Sequence, residues 1–450
     1  MSLCAICQVS YNIRAFDTRI PPRKESLMKI AGIIAEYNPF HNGHQFQIDK
    51  LRQETGADYV VVAMSGNFLQ RGVPAIIDKY ARTQMALEAG ADLVLELPVV
   101  WATASAEYFA LAGVTLFRQM GNVTHLCFGA ESDNLTALTS IAGILSNESE
   151  AYQKLLSAQL KKGLSFPSAR ENALSQLLCM ENSHFALPAD ELETILSSPN
   201  NILAVEYLKA LIQTKEDMSD ITPVLIQRQG DGYHETALIS PLASATAVRK
   251  GLFETGTPVN MGGVLPAASL EILTAYQKKW PLIDENAISS ILGYRLRLLS
   301  SSGYEAYADC SADLSNKIQN NLTSYLGFSQ FCELLKSKEL TYTRISRLLL
   351  HILLDIKQED YNTGKCLNYI PYLRVLGFHK ASSPLLSDTK KKTSVPLITK
   401  VADASTILSP ERYSFFQKDL LASDIYRQLV ADRCHKLPKN DFQHELVILP

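Results

Sequence analysis

From Met28 onward, short apolar runs alternate with stretches whose apolar residues recur at helical spacing. Ile30 to Ala35 is an uncharged run, followed by a polar loop and a helical stretch from about His44 to Glu54. Tyr59 to Met64 is a second run, rich in β-branched residues, and Ile76 to Glu88 reads as a helix ended by Gly90. Leu93 to Leu97, a helix over Ala104 to Met120, and a fourth run at Val123 to Phe128 continue the alternation. Such alternation predicts an α/β fold with a parallel sheet covered on both faces. Ligands bind such sheets at the carboxyl ends of the strands.

From Glu131 to about Pro199 the pattern is helices joined by polar turns, and Asn200 to Ile212 is an amphipathic helix. Thr222 to Gln227 is strand-like, and Ser244 to Phe253 begins like a helix. Beyond about Gly256 the strand pattern disappears. Ala267 to Trp280, Ala287 to Leu299, Lys317 to Leu326 and Thr343 to Ile356 are expected helices. The expected organisation is therefore an extension over 1–27, an α/β domain over 28–258, and a mainly α-helical C-terminal domain over 259–450. The extension lacks periodicity, is broken at Pro21-Pro22-Arg23-Lys24, and has no apolar core of a secretory signal. Met28 is thus a candidate start, and no function is assigned to the residues before it.

Composition narrows the class. A hydrophobic share of 46% with 20% charged residues is that of a folded globular protein. The longest apolar candidate, Leu93 to Ala104, contains Glu96 and Pro98 and falls short of the about 18 residues a membrane span needs. No membrane partner is expected. The 8 cysteines are scattered, which suits reduced thiols in the cytoplasm. Cys4 and Cys7 form a lone C-x-x-C without a second pair, a weak metal signal, and no metal ligand is nominated. The net charge of −3 neither supports nor excludes an RNA partner, because a local basic face can bind phosphate in a neutral chain.

The chemistry concentrates after the first strand, in Glu36-Tyr37-Asn38-Pro39-Phe40-His41-Asn42-Gly43-His44. Pro39 fixes the turn, and Gly43 lets backbone approach a ligand. His41 and His44 at a helix N-terminus sit where unpaired N–H groups and the helix dipole favour phosphate. Two imidazoles there can donate to phosphate oxygens and stabilise charge as pyrophosphate leaves. A second segment, Ser244-Ala245-Thr246-Ala247-Val248-Arg249, follows Ile239-Ser240-Pro241 and offers hydroxyls, amides and an arginine for a second phosphate clamp. Alone it would be an ordinary helix cap with a surface arginine. Its order after His41 to His44 makes it informative.

H-x-G-H after the first strand resembles the "HIGH" motif of the nucleotidyltransferase superfamily, and S-A-T-A-V-R resembles its S-S-T-x-x-R motif. Between them stand Met64 to Gly72, Asp78-Lys79-Tyr80-Ala81-Arg82, Leu95-Glu96-Leu97-Pro98, Phe128-Gly129-Ala130-Glu131-Ser132, Pro199 to Ala204, and Arg228-Gln229-Gly230-Asp231-Gly232-Tyr233-His234. Tyr342 to Arg347 and Arg374 to Phe378 follow in the C-terminal part. Together these resemble the tRNA(Met) cytidine acetate ligases. The resemblance implies a Rossmann-like (HUP-type) nucleotidyltransferase domain, an acetyl-adenylate formed from acetate and ATP, and acetyl transfer to N4 of the wobble cytidine of elongator tRNA(Met). It implies an ATP site including Ile34, Ala35, Glu36, Tyr37, Asn38, Pro39, Phe40, His41, Asn42, Gly43, His44, Gln45, Phe46 and Gln47. Gly129, Asn201 and Arg228 belong to it by the same matching, with Ser244, Thr246 and Arg249 from the second clamp. His41 and His44 are the expected catalytic pair. Magnesium is the expected companion of ATP, held by phosphates and water.

For RNA, Arg344 and Arg347 lie three apart on one helical face and, with Arg374, are the favoured phosphate contacts; Lys278, Lys279, Arg295, Arg297 and Lys390 to Lys392 are further candidates. A wobble base must be unstacked to reach an active site, which favours reading of an anticodon loop by shape and stacking. Two other functions fit part of this pattern. A small-molecule adenylyltransferase acting on a phosphate-bearing metabolite would need the same clamps, but not the extra C-terminal region. A noncatalytic RNA-binding protein would need neither clamp.

Overall fold

The apolar runs become strands whose alternate side chains enter two separate cores. In the computed structural model, which describes residues 28–164, 166–180, 189–215, 220–228 and 242–450, the first four runs are β1 (Ile30–Ala35), β2 (Tyr59–Ser65), β3 (Leu93–Leu97) and β4 (His125–Ala130). Thr222–Gln227 is β5. Residues 1–27, with Cys4 and Cys7, and residues 229–241, with the segments at 229–234 and 239–241, lie outside the described residues.

β1 pairs with β2 and β4, β2 with β3, and β4 with β5, all parallel. The order β5-β4-β1-β2-β3 means that the chain moves outward from β1 in one direction and then crosses to its other side. The carboxyl ends of β1 and β4 therefore flank the point where strand order reverses, and a crevice forms there.

In β2, Val61 and Ala63 face one core while Val60, Val62 and Met64 face the other. The second core is closed by α1 (Asn42–Thr55) through Ile48 and Leu51, and by α2 (Lys79–Glu88) through Met85 to Leu87. The first core is closed by the helix Ala106–Met120 and extends continuously to Phe415, Phe416 and Tyr426 of the helix Pro410–Cys434.

That continuity changes the expected organisation. Residues 259–450 are mainly helical, but they also return three strands to the sheet: β6 (Leu373–His379), β7 (Leu397–Ile398) and β8 (Val447–Leu449). β6 lies antiparallel beside β3, and β7 and β8 pair with β6. Position 258/259 marks a change of sequence pattern; it divides neither the sheet nor the first core.

β6 enters the sheet through a buried charge cluster. Lys79 Nζ lies 2.8 Å from Glu96 Oε1 and 2.9 Å from Asp441 Oδ2, and Arg374 reaches the same carboxylates at 2.9 and 2.8 Å. All four are buried, and two cations balance two anions. Arg374, expected on the RNA surface, is thus corrected to an interior residue whose guanidinium is held by Glu96 and Asp441. Gly377 is needed beside it, since a Cβ there would lie 2.4 Å from the Val447 carbonyl.

Candidate active site

His41 is the N-cap residue of α1 and adopts extended backbone angles. Its Nδ1 accepts the Gly43 N–H at 3.1 Å, while His44 Nδ1 accepts the His41 N–H at 3.2 Å. The two rings stack with centroids 3.8 Å apart. Accepting a backbone N–H at Nδ1 places the proton of each neutral imidazole on Nε2. Burial, then the charges of Arg228 and Arg249, pushes His41 down to about 3. Burial, then His41 and Arg228, holds His44 well below the ordinary histidine range. The pair therefore presents two Nε2–H donors at neutral pH without adding charge.

The glycine between them has a different reason from the one expected. A Cβ on Gly43 would lie 2.9 Å from His41 Cε1, so the glycine makes room for the capping ring rather than for a ligand.

Both rings line a cavity of about 430 Å³ at the ends of β1 and β4. Ile34, Ala35, Glu36, Tyr37, Asn38 and Gln47 line it from the first motif, Gly129 and Arg228 from the ends of β4 and β5, and Ser244, Thr246 and Arg249 from the second. Ser244 caps the helix Ala245–Thr255 by accepting the Ala247 N–H at 3.1 Å. Arg249 donates to the Asn38 carbonyl at 2.9 Å and to Thr246 Oγ1 at 3.1 Å, which joins the two clamps. With Arg71, the wall carries three arginines against the carboxylates of Glu36 and Glu285, a field suited to a polyphosphate.

Several expected residues support the site from behind. Pro39, Phe40, Asn42, Gly43, Gln45 and Phe46 are not on the cavity wall. Phe40 is in the second core, Gln45 bonds Asp49 and the Ala89 carbonyl, and the Asn42 backbone N–H donates to the Val264 carbonyl at 3.0 Å. Asn201 is also corrected. Its Oδ1 accepts the N–H groups of Glu131 and Ser132, both at 2.9 Å, and its side chain is completely buried. The neighbouring Asn200 reaches the cavity instead.

Sequence reasoning missed part of the wall. Leu69 to Arg71 line it from the loop after β2, and Glu285, Tyr342 and Thr343 from the C-terminal region. The loop is fixed from both sides. Arg82, fully buried, donates to the carbonyls of Glu36, Ser65 and Gly66, and Ser346 Oγ donates to the Arg71 and Gly72 carbonyls at 2.7 and 3.1 Å. Gly72, at φ 77°, packs so tightly on the helix Tyr342–Leu353 that a Cβ would lie 2.4 Å from the Arg347 nitrogen. The available signal was position: Met64 to Gly72 follows a strand bordering the crevice.

Of the expected RNA contacts, Arg344 and Arg347 lie on this same helix, Arg344 directly after the wall residue Thr343 and Arg347 one turn beyond it. Arg347 is half-buried with its Nε sealed from water, whereas Arg295 is paired internally with Asp355. No group of three or more His, Cys, Asp or Glu side chains among the described residues could hold a metal.

Residues 28–441 match the HIGH Nucleotidyl Transferase family. A tRNA(Met) cytidine acetate ligase of Thermoanaerobacter sp. (strain X514) is 41% identical over 423 residues, covering 94% of this chain and 100% of the relative. One from Halothermothrix orenii is 36% identical, covering 92% and 98%. The chain belongs to this ligase family. The fold agrees: the crystal structure of Thermotoga maritima TmcAL in its apo form superimposes with a TM-score of 0.87 at 31% identity, covering 94% of this chain and 100% of that one. The same T. maritima protein bound with α-thio ATP gives 0.84 over the same coverage.

Proposed function

We infer that this chain is an ATP-dependent ligase that activates acetate as acetyl-adenylate and transfers the acetyl group to N4 of the wobble cytidine of elongator tRNA(Met). The observation that carries the nucleotide half is the joined pair of clamps, with two neutral Nε2–H donors and three arginines around one cavity. The family names supply the acetate and the RNA.

In the first step an acetate oxygen attacks the α-phosphorus of ATP, the bond to the β-phosphate oxygen breaks, and pyrophosphate departs. Charge grows on the departing oxygens, where His41, His44 and the arginines are arranged to meet it. Preorganised donors of this kind are worth about 10²–10³ in rate each. In the second step the cytidine N4 attacks the acetyl carbon, AMP leaves with the bonding electrons, and N4 loses a proton. No protein nucleophile takes part; alignment carries the rest. Magnesium, the expected companion of ATP, would be held by phosphate oxygens and water and would neutralise phosphate charge.

Tyr342 and Thr343 bring the C-terminal region to the cavity, and Arg344, the next residue, is the candidate contact for the RNA backbone. Arg347 is more enclosed, and its backbone packs against Gly72. No helix among the described residues is long and apolar enough to cross a membrane, and the cytoplasm is the compartment where a tRNA substrate is met.

Exchange of labelled pyrophosphate into ATP tests the activation step. Exchange that requires acetate is expected. Exchange that ignores acetate and requires a phosphate-bearing metabolite would overturn the reading in favour of a small-molecule adenylyltransferase.

A further inference from the structure

The helix Ala106–Met120 borders two cavities. Ala106 and Phe109 face the nucleotide cavity, while Tyr108, Arg118 and Gln119 face a second, larger one of about 890 Å³. The far wall of this second cavity is formed by Asn368 and Tyr369 and by Arg412 of the C-terminal helix. The two cavities lie on opposite sides of one helix, about 10 Å across.

We propose that the second cavity holds an unpaired nucleotide of the RNA substrate, next to the one that enters the active site. This rests on the ligase reading and names a contact which that reading leaves open. Three observations support it. The wall carries two aromatic rings, Tyr108 and Tyr369, both partly exposed, and aromatic rings are the usual platform for an unstacked base. Its charge is positive: Arg412 stands on the wall with Arg118, whose guanidinium is held by Thr214 Oγ1 and the Leu211 carbonyl, and Glu107 is neutralised by Lys209 at 2.6 Å. The third observation is the backbone. Asn368 and Tyr369 both adopt left-handed angles, φ 52° and 61°, a conformation ordinary for an asparagine just past a helix end but held by a tyrosine only when surrounding structure imposes it. Here Trp101 Nε1 donates to the Tyr369 carbonyl at 2.6 Å, and the Tyr369 N–H donates to the Gly364 carbonyl at 2.7 Å. This pair puts an amide and a ring side by side on the cavity wall, as base-edge recognition and stacking require.

The same left-handed backbone permits a clean test. Tyr369→Gly and Asn368→Gly remove the side chains at positions where glycine is at ease, and Arg412→Glu reverses a charge on the wall. Acetylation kinetics are measured with transcribed elongator tRNA(Met), alongside acetate-dependent pyrophosphate exchange without RNA. Tyr369→Gly is expected to raise KM for the RNA about ten-fold, in line with the loss of one stacked base, and to leave exchange unchanged. Arg412→Glu should raise KM and make its salt dependence shallower, because fewer counterions are released on binding. A synthetic anticodon stem-loop carrying a photoreactive uridine at successive loop positions should crosslink to the peptide holding Tyr108 or Tyr369. Wild-type KM in all three variants, or crosslinks that avoid both peptides, would overturn the proposal while leaving the ligase reading intact. A wild-type protein that acetylates no RNA would instead refute the ligase reading, and this inference with it.

Discussion

Replacing Arg374 with methionine removes one of two cations from a site where Lys79, Glu96, Arg374 and Asp441 are all buried and their charges cancel. The variant keeps both carboxylates but only Lys79 to balance them, so a net negative charge stays in the interior. Two contacts, at 2.9 and 2.8 Å, are lost. Breaking a buried pair by removing one partner costs about 3–5 kcal/mol, chiefly because the remaining charge is uncompensated. The cause can be isolated. Adding Glu96→Gln to Arg374→Met restores neutrality, leaving Lys79 with Asp441 at 2.9 Å, so the double variant should be more stable than the two single losses added together. Urea unfolding followed by tryptophan fluorescence, to which the fully buried Trp101 contributes, reads the wild type, both single variants and the double variant. The folded Arg374→Met protein should bind RNA as the wild type does, because the guanidinium never reaches the surface. A loss below about 1 kcal/mol, or strict additivity in the double variant, would refute the buried-cluster argument. So would weakened RNA binding at undiminished stability.

Three further outcomes follow from the site. Gly43→Ala should displace the His41 ring, which a Cβ would meet at 2.9 Å; calorimetry should show ATP affinity falling about ten-fold, one lost hydrogen bond to a charged group, and unchanged affinity would contradict the capping geometry. Asn201→Ala leaves the N–H groups of Glu131 and Ser132 without their acceptor, at about 1–3 kcal/mol for each one left unsatisfied. It should lower the unfolding midpoint more than it changes the intrinsic ATP affinity, and the reverse order would return Asn201 to the cavity wall. For His41, burial and the nearby arginines depress the folded value to about 3, whereas the unfolded chain takes a proton near 6.5. Its contribution is therefore complete at higher pH and declines as pH falls from 6.5 toward 3, by about 1 kcal/mol between pH 6.5 and 5.5. His41→Asn, which keeps a helix cap, should flatten that part of the stability profile, and an unchanged slope would refute the assignment.

Most of the parallel half of the sheet was legible because β1 to β4 are largely buried on both faces and read as plain apolar runs; β5, the edge strand, is mostly half-exposed and was legible from its β-branched and aliphatic centre. β1, β3 and β5 begin and end where the runs do. β6 was not legible as a strand. Leu373–His379 contains an arginine, a glycine and a histidine, and only the distant Glu96 and Asp441 make that arginine compatible with a sheet interior. The two phosphate clamps were visible as motifs because helix caps and crevice residues lie close together in sequence. The rest of the wall was not, since Glu285, Tyr342 and Thr343 reach the cavity by tertiary packing alone. Arg374 and Asn201 show the converse. Polar residues in a motif can be retained to support the fold that carries a site, and sequence does not distinguish that from contact with a ligand.

The central claim is tested most directly by incubating the protein with ATP, labelled acetate and unmodified tRNA and following label into acid-precipitable RNA. The account predicts incorporation that requires ATP, maps to the wobble cytidine of elongator tRNA(Met), and falls by about 10²–10³ in His44→Ala, as loss of one preorganised donor would cause. Incorporation that persists without ATP, or that His44→Ala leaves unchanged, would contradict it.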